Sequence, residues 1–456
     1  PAHTSPSTTI RQAAVAMGEQ KVSSLLILEG GQLRGIVTDR DIRRSVAEGM
    51  SSEKPVSAIM ATNLRTATSE TLVFDAMLQM AELDIHHLPV VDEGEVTGII
   101  TAADIMRLLQ YDPIYLTADL SRRKTPEQMR EVYQSAHTVA VRFIERGAGA
   151  EEVQGVLSVA ADAMARRLLR LAEEQLGPPP VPYSFVALGS QGRREMGLAS
   201  DQDNALVLSE DYRPELHGEY FRQLGSSVCQ GLATAGQVLC PGEMMAMTDT
   251  WRMTVGQWRE IFHAWITAPE PEALLYAQAF FDMRWVHGEE ELARSVHVQA
   301  VESAAGSPRL HAHLAALATR REPPVGFFRG LVVDRRGKYA NTLDIKKGGI
   351  AAVVQMARLF AIVAGAEALS TRGRLEVAAG GPVSAQSAQD LSAAFGFLNS
   401  LSLERQAAQT QRGESPDYHV DPSQLSKMER ENLRDAFNII KGVQSALSMK
   451  YPVRSV

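Results

Sequence analysis

Between residues 184 and 208 the chain brings two devices for phosphate chemistry close together. The apolar run 184–188 leads into Gly189-Ser190-Gln191-Gly192-Arg193-Arg194-Glu195, and Asp201-Gln202-Asp203 precedes a second apolar run, 205–208. A Gly-Ser turn at a strand end lets backbone amides approach phosphate oxygens with no Cβ in the way. Two carboxylates two residues apart at the start of a strand point to one side, where both can hold divalent cations. Phosphoryl and nucleotidyl transfer need this combination, because cations must neutralise a triphosphate and activate the attacking oxygen. A solvated loop between two strands is the plainer reading of the same aspartates.

A different pair of residues occurs twice. Residues 22–41 read VSSLLILEGGQLRGIVTDRD and residues 85–104 read IHHLPVVDEGEVTGIITAAD. Gly35, Thr38 and Asp41 recur as Gly98, Thr101 and Asp104, each 63 positions on. Each copy reads as strand, Gly-containing turn, strand and helix. A helix precedes each, with Ile10, Ala14 and Met17 inward in the first and Leu72, Ala76 and Met80 in the second. In order, spacing and residue type, residues 1 to about 110 resemble a tandem pair of CBS domains. That resemblance implies a cleft for an adenosine nucleotide lined by Thr38 and Asp41, and by Thr101 and Asp104. The chemistry fits: a hydroxyl and helix N-terminal amides suit phosphate, and a carboxylate can accept both ribose hydroxyls. Helix capping is the competing use of Thr and Asp at these positions. The first copy has Leu26 where the second has Pro89, so its cleft departs further from the family. His86 and His87 read as residues leading into a strand, not as metal ligands.

GSxGRxE followed by SDxD resembles the polymerase-beta-like nucleotidyltransferase superfamily. The nearer branch contains the PII uridylyltransferase and glutamine-synthetase adenylyltransferase domains. With a CBS pair in front, the chain resembles bacterial signal-transduction proteins carrying a DUF294 nucleotidyltransferase domain and its C-terminal companion. By that resemblance Gly189 and Ser190 contact the triphosphate, Asp201 and Asp203 bind Mg²⁺ or Mn²⁺, Arg193 binds phosphate, and Glu195 braces the loop. The superfamily usually adds a third carboxylate on a later strand. Residues 237–243 read as that strand and turn, making Glu243 the candidate. FFDMRWVHG resembles the family's DxR helix, with Asp282 and Arg284 near the nucleotide or joined in a structural salt bridge. Asp344-Ile345-Lys346-Lys347-Gly348-Gly349 resembles a basic loop that faces the active site in the PII-modifying enzymes.

The positioning elements follow from pattern and punctuation. The chain reads as α/β and α+β multidomain: a tandem CBS pair at 1–112 (1–50 and 55–112), a helical connector at 113–177, a nucleotidyltransferase α/β domain at 178–290, and a mainly helical C-terminal domain at 291–456. Within the connector, 111–124 reads as a linking segment, followed by helices over 126–147 and 151–175, and Gly177-Pro178-Pro179-Pro180 ends the last of them. Helices are expected over 251–268 and 272–287. With 456 residues, several domains are expected, and 45% hydrophobic and 22% charged residues exclude wholesale disorder. A net charge of −8 argues against a nucleic-acid-coating surface. Cys229 and Cys240, the two cysteines, form no CxxC pair, so a disulfide scaffold or a cysteine-based zinc site is not expected, and a reducing cytoplasm suits the composition. No apolar run reaches the roughly 18 residues of a membrane span. The chain begins without Met or a signal-peptide layout and reads as a fragment of a longer protein. The expected activity is Mg²⁺-dependent transfer of a nucleoside monophosphate from a triphosphate to a protein acceptor, set by adenine nucleotide at a CBS pair that also forms a homodimer. The rival reading is a nucleotide-sensing scaffold with weak or lost catalysis; small-molecule transfer of the antibiotic-modifying kind ranks third.

Overall fold

The computed structural model describes residues 1–71, 73–83, 85–109, 113–326 and 330–453. The chain divides into two compact units, Pro1–Asp112 and Pro113–Val456. None of the helices among the described residues is long and apolar enough to cross a membrane.

In the first unit β1 (His3–Thr4) lies parallel to β2 (Ser24–Glu29), which pairs antiparallel with β3 (Gln32–Thr38). Helices α1 (Ile10–Gln20) and α2 (Asp39–Ala47) flank β2 and β3, as α3 (Val73–Leu83) and α4 (Ala102–Leu109) flank the hairpin of β4 (His87–Asp92) and β5 (Glu95–Thr101). The repeat extends to irregularities: the register slips between Ile27 and Leu28 in one hairpin and between Val90 and Val91 in the other. Both hairpin tips carry two successive left-handed residues, Gly30-Gly31 and Glu93-Gly94, as a two-residue turn matched to strand twist requires. Each copy closes its own core, around Ile10, Leu25 and Val37 in one and Ala76, Met80 and Leu88 in the other. The inward face of α1 runs through Ala13, not the expected Ala14, which is exposed. Leu72 lies outside the described residues.

The second unit opens with α5 (Pro113–Arg122), so most of the expected linking segment is helical, followed by α6 (Pro126–Glu145) and α7 (Ala150–Leu176). Next come β6 (Tyr183–Ala187), the short α8 (Gly189–Gly192), β7 (Asn204–Leu208), α9 (Pro214–Ala235), β8 (Arg252–Thr254), α10 (Val255–Thr267), α11 (Pro271–Phe280) and β9 (Arg284–Gly288). The sheet order is β8-β7-β6-β9, with β7 and β8 parallel and the other neighbours antiparallel. The remainder is α12 (Glu290–Ala305), α13 (Pro308–Arg320), β10 (Leu343–Asp344), a π-helical turn (Lys346–Ile350), α14 (Ala351–Val363), α15 (Thr371–Ala378), α16 (Ala385–Gln411), β11 (His419–Val420) and α17 (Lys427–Lys450). One hydrophobic cluster runs from the sheet (Val186, Val207) through Trp258 and Phe280 to Phe360 and Phe437 of the last helices. The sheet and the C-terminal helices therefore share a core.

Three expectations change. The helix expected from residue 251 starts at Val255, where Thr254 and Gln257 form a reciprocal cap (Thr254 N to Gln257 Oε1 2.9 Å, Gln257 N to Thr254 Oγ1 3.2 Å). The helix expected through residue 287 stops at Phe280, and Arg284–Gly288 becomes an edge strand on β6. Trp285 and Val286 suit a pleated edge better than a helix interior. Residues 237–243 form a loop, not a strand.

Candidate active site and helix-capping turns

The antiparallel pairing of β6 with β7 builds the site. Ala187, ending one strand, stands opposite Asn204, opening the other, and Leu188 N donates to Asp203 O at 2.9 Å. The Gly189 turn and the Asp201/Asp203 loop are thus held at one sheet end. Gly189 has φ +54°, and a Cβ there would collide with the Asp203 carboxylate; only glycine meets both conditions without strain. Gly192 is as constrained, because a Cβ would run into the Asp282 carbonyl. Ser190 Oγ donates to Ser200 Oγ at 3.4 Å, and Glu195 N closes the turn onto Ser190 O at 2.8 Å. The opening amides of α8 have no carbonyl within that helix to satisfy them.

Asp201 and Asp203 are brought together, and the third group beside them is Cys240: one ligand atom from each lies within 4.8 Å of the others. Glu243 does not join them. Its side chain is exposed, its φ is +56°, and its carbonyl accepts from Thr248 Oγ1 (2.9 Å) and Trp251 Nε1 (3.1 Å), so it serves the loop's backbone. The strand alongside β7 offers no acid either, reading Arg252, Met253, Thr254. Burial and then the Asp201 charge push the Asp203 carboxyl up to about 6. Burial, and then Asp203, push the Cys240 thiol up to about 11. Asp203 Oδ1 is buried with no hydrogen-bond partner, and such an orphan carboxylate oxygen beside a second carboxylate fits a divalent cation.

Two networks that motif reading missed hold this geometry. Gln191 donates to Asp162 Oδ1 (3.0 Å) and accepts from Gln237 Nε2 (3.1 Å), while Gln202 Nε2 reaches the carbonyls of Gln237 (2.9 Å) and Cys229 (3.1 Å). The second network centres on Asp282, which is fully buried and accepts from Arg193 (2.5 Å), Arg358 (2.6 Å) and Arg374 (2.6 Å). Burial alone would raise its pKa, but Arg358, Arg374 and Arg193 together hold it below the usual carboxylate range. Arg193 also pairs with Glu195 at 2.7 Å, and Glu195 accepts from Thr371 N at 2.6 Å. Arg193 is thus already committed to two carboxylates, and Glu195 links it to Thr371. Arg284 pairs with Asp162 (2.8 and 2.9 Å) and caps the carbonyls of Gln191 and Gly192. Asp282 and Arg284 are not joined to each other as the salt-bridge reading expected: Asp282 holds Arg193, Arg358 and Arg374, and Arg284 holds Asp162.

Lys346, from the basic loop, shares a small recess with Ser190 and Arg193, and its Nζ lies 4.4 Å from the Tyr418 ring centroid. Its charge acts to lower the Asp203 pKa. A larger cavity of about 330 Å³ adjoins it, lined by Gln154, Arg193, Arg194, Ser370, Arg372 and Asn399 among others. Arg194, left-handed at φ +61°, is exposed there. In the first unit the Thr/Asp turns are reciprocal helix caps. Thr38 N and Oγ1 donate to Asp41 Oδ2 (2.9 and 2.7 Å), and Asp41 Oδ1 takes Arg44 at 2.9 Å. Thr101 repeats this with Asp104 Oδ2 (2.9 and 2.6 Å). His87 Nε2 contacts Ser23 Oγ at 3.0 Å as β4 begins.

Fold and site define a two-unit protein: a duplicated hairpin-and-helix α/β fold, and an α/β sheet carrying a paired-carboxylate site embedded in helices. Comparison with known proteins gives the family. The chain belongs to the CBS-domain proteins, with that domain matched at 1–48 and 56–111, joined to "Putative nucleotidyltransferase DUF294" at 134–272 and "Putative nucleotidyltransferase substrate binding domain" at 308–451. The first nucleotidyltransferase match begins inside α6. The CBS domain-containing protein YhcV of Bacillus subtilis is 37% identical over 102 residues, 22% of this chain and 73% of that protein. CBSCBSPB3 of Arabidopsis thaliana is 36% identical over 232 residues, 46% of this chain and 39% of its own. This chain spans 32% of a further relative, the arabinose 5-phosphate isomerase KdsD of Francisella tularensis, at 33% identity over 105 residues (23% of this chain). Among solved structures, a protein with CBS domains from Burkholderia ambifaria is similar at 30% identity, covering 25% of this chain and 85% of that one, TM-score 0.24.

Proposed function

We propose that this chain is a divalent-cation-dependent nucleotidyltransferase that moves a nucleoside monophosphate from a triphosphate onto a protein hydroxyl. The observation that carries the reading is the convergence of Asp201 and Asp203 beside the Gly189-Ser190 turn, with an oxygen of Asp203 left unpaired. The transfer forms an acceptor O–Pα bond and releases pyrophosphate. Asp201 and Asp203 would hold the cation, Mg²⁺ or Mn²⁺, which when bound neutralises the triphosphate and lowers the pKa of the attacking hydroxyl. Gly189 and Ser190 admit phosphate oxygens closely, and Lys346 offers the counter-charge. Arg193 positions: held by Glu195 and Asp282, it fixes the loop. The Arg194/Arg372 cavity is where an acidic segment of an acceptor would rest. The Thr38/Asp41 and Thr101/Asp104 turns would take an adenine nucleotide that sets activity, and the chain would work in the cytoplasm, without membrane or nucleic acid.

One observation favours the alternative of a nucleotide-binding signalling scaffold: no third carboxylate joins the pair among the described residues. Incubation with each labelled triphosphate, Mg²⁺ or Mn²⁺ and a cell extract tests both. A labelled protein band that disappears in Asp201→Asn supports transfer. Cation-dependent triphosphate binding without any labelled product supports the scaffold.

A further inference from the structure

The loop that fails to supply a third carboxylate supplies a thiol. After α9 ends at left-handed Gly236 (φ +110°), residues 237–246 are strapped against the aspartate loop on both sides. Gln202 N donates to Val238 O at 2.8 Å, Asn204 N to Met244 O at 3.0 Å, and Ala246 N to Asn204 Oδ1 at 2.8 Å. These bonds bracket Asp203 and set buried Cys240 facing it. Backbone bonding therefore holds together the two chain segments that carry the three potential ligands. Oδ1 of Asp203 is buried without a hydrogen-bond partner, and the Cys240 thiol lies within reach of the same carboxylate.

A thiol changes what the site prefers. Mg²⁺ demands oxygen ligands in a near-octahedral shell, whereas zinc accepts sulfur and carboxylate oxygen together in a smaller one. We propose that Asp201, Asp203 and Cys240 form a mixed carboxylate–thiolate site that takes a borderline or soft divalent cation, zinc or its analogue cadmium, more tightly than Mg²⁺. This revises the expectation that no cysteine takes part in zinc binding. It rests on reading the two aspartates as cation ligands. Coordination breaks the Cys240 S–H bond, forms a sulfur–metal bond and releases the proton to solvent, with no change of oxidation state.

The full chain, stripped with a chelator, is titrated with Cd²⁺ while the ultraviolet thiolate-to-cadmium charge-transfer band is followed. Zinc and magnesium affinities are measured by competition with a chromophoric indicator. Wild type and Cys229→Ala should develop the band with one equivalent of Cd²⁺. Cys240→Ala should lose the band and bind zinc at least about tenfold more weakly, since even outer-shell losses cost 10–100-fold, with its Mg²⁺ affinity unchanged. Cys240→Ser, which restores a polar group of similar size, should behave the same way and covers the case in which the alanine variant does not fold. A band and zinc affinity that survive both Cys240 substitutions overturn the proposal while leaving the aspartate reading intact. Zinc and Mg²⁺ affinities that survive Asp201→Asn and Asp203→Asn together overturn both.

Discussion

Asp203 carries two burdens at once, burial and the neighbouring Asp201 charge, and both favour its protonated form. Its carboxyl goes from 3.8 in the free residue to about 6 in the folded chain. The folded state therefore binds a proton more tightly than the unfolded one. The resulting stabilisation is full below about pH 4 and is lost as pH rises through 6. Without metal, Asp203→Asn should exceed wild type in stability by about 3 kcal/mol at pH 7, with the gap closing towards pH 4. Urea unfolding in chelator at several pH values measures this; a gap that does not vary with pH would rule the account out. Gly189→Ala attacks the same point from the other strand. The left-handed backbone costs an alanine roughly 1 kcal/mol, and its methyl would displace the carboxylate. Divalent-cation affinity should fall at least about tenfold while the melting temperature moves little. Cation affinity equal to wild type would mean that the Gly189–Asp203 approach is incidental.

At the scale of elements, the Asp282 cluster joins parts that family matching treats as separate domains. Arg193 follows α8, while Arg358 lies on α14 and Arg374 on α15, and all three meet one buried carboxylate. Removing it leaves Arg193 with Glu195, Arg374 with the Ala368 and Phe281 carbonyls, and Arg358 without its buried counter-charge, so Asp282→Ala should cost about 3–5 kcal/mol. Denaturant unfolding checks that, and a loss below 1 kcal/mol would show that solvent or backbone carbonyls replace it. The same cluster marks what the sequence could and could not reveal. The 63-residue repeat, the Gly-Ser turn and the Asp pair were legible because each is a local pattern whose spacing states its geometry. The sequence points to Glu243 and not to Cys240 because 237–246 has no strand periodicity; its course is set by side-chain and backbone bonds to Gln202 and Asn204. The edge strand at Arg284 was read as helix for a similar reason, its pairing with β6 being invisible locally. Arg358 and Arg374 gave one faint signal, charged residues placed among apolar helix faces.

For the whole molecule, the question is whether adenine nucleotide at the first unit governs the second. A ligand shifts an equilibrium only by its differential affinity for the two states, so tight binding alone regulates nothing. If the turns at Thr38 and Thr101 sense adenylate, AMP must alter triphosphate affinity beside Gly189, and the triphosphate must alter AMP affinity by the same factor. Coupling of this kind is typically about 1–3 kcal/mol, or 5- to 150-fold. UTP or CTP should replace ATP as the second ligand, because ATP could enter either unit. The cap geometry also identifies the residue to change. In the first copy Asp41 Oδ1 is held by Arg44, whose own side chain is 57% exposed, so the bond contributes little and a ribose hydroxyl can take its place. Arg44→Ala should then raise AMP affinity slightly, or leave it unchanged, without altering the coupling factor. Asp104→Ala should weaken AMP binding, so that an AMP concentration that saturates wild type no longer shifts UTP affinity. Calorimetric titration of each ligand with and without the other measures all four affinities in one thermodynamic cycle. Affinities that ignore the second ligand would leave the CBS pair an assembly or anchoring role, with the transferase unit acting without its control.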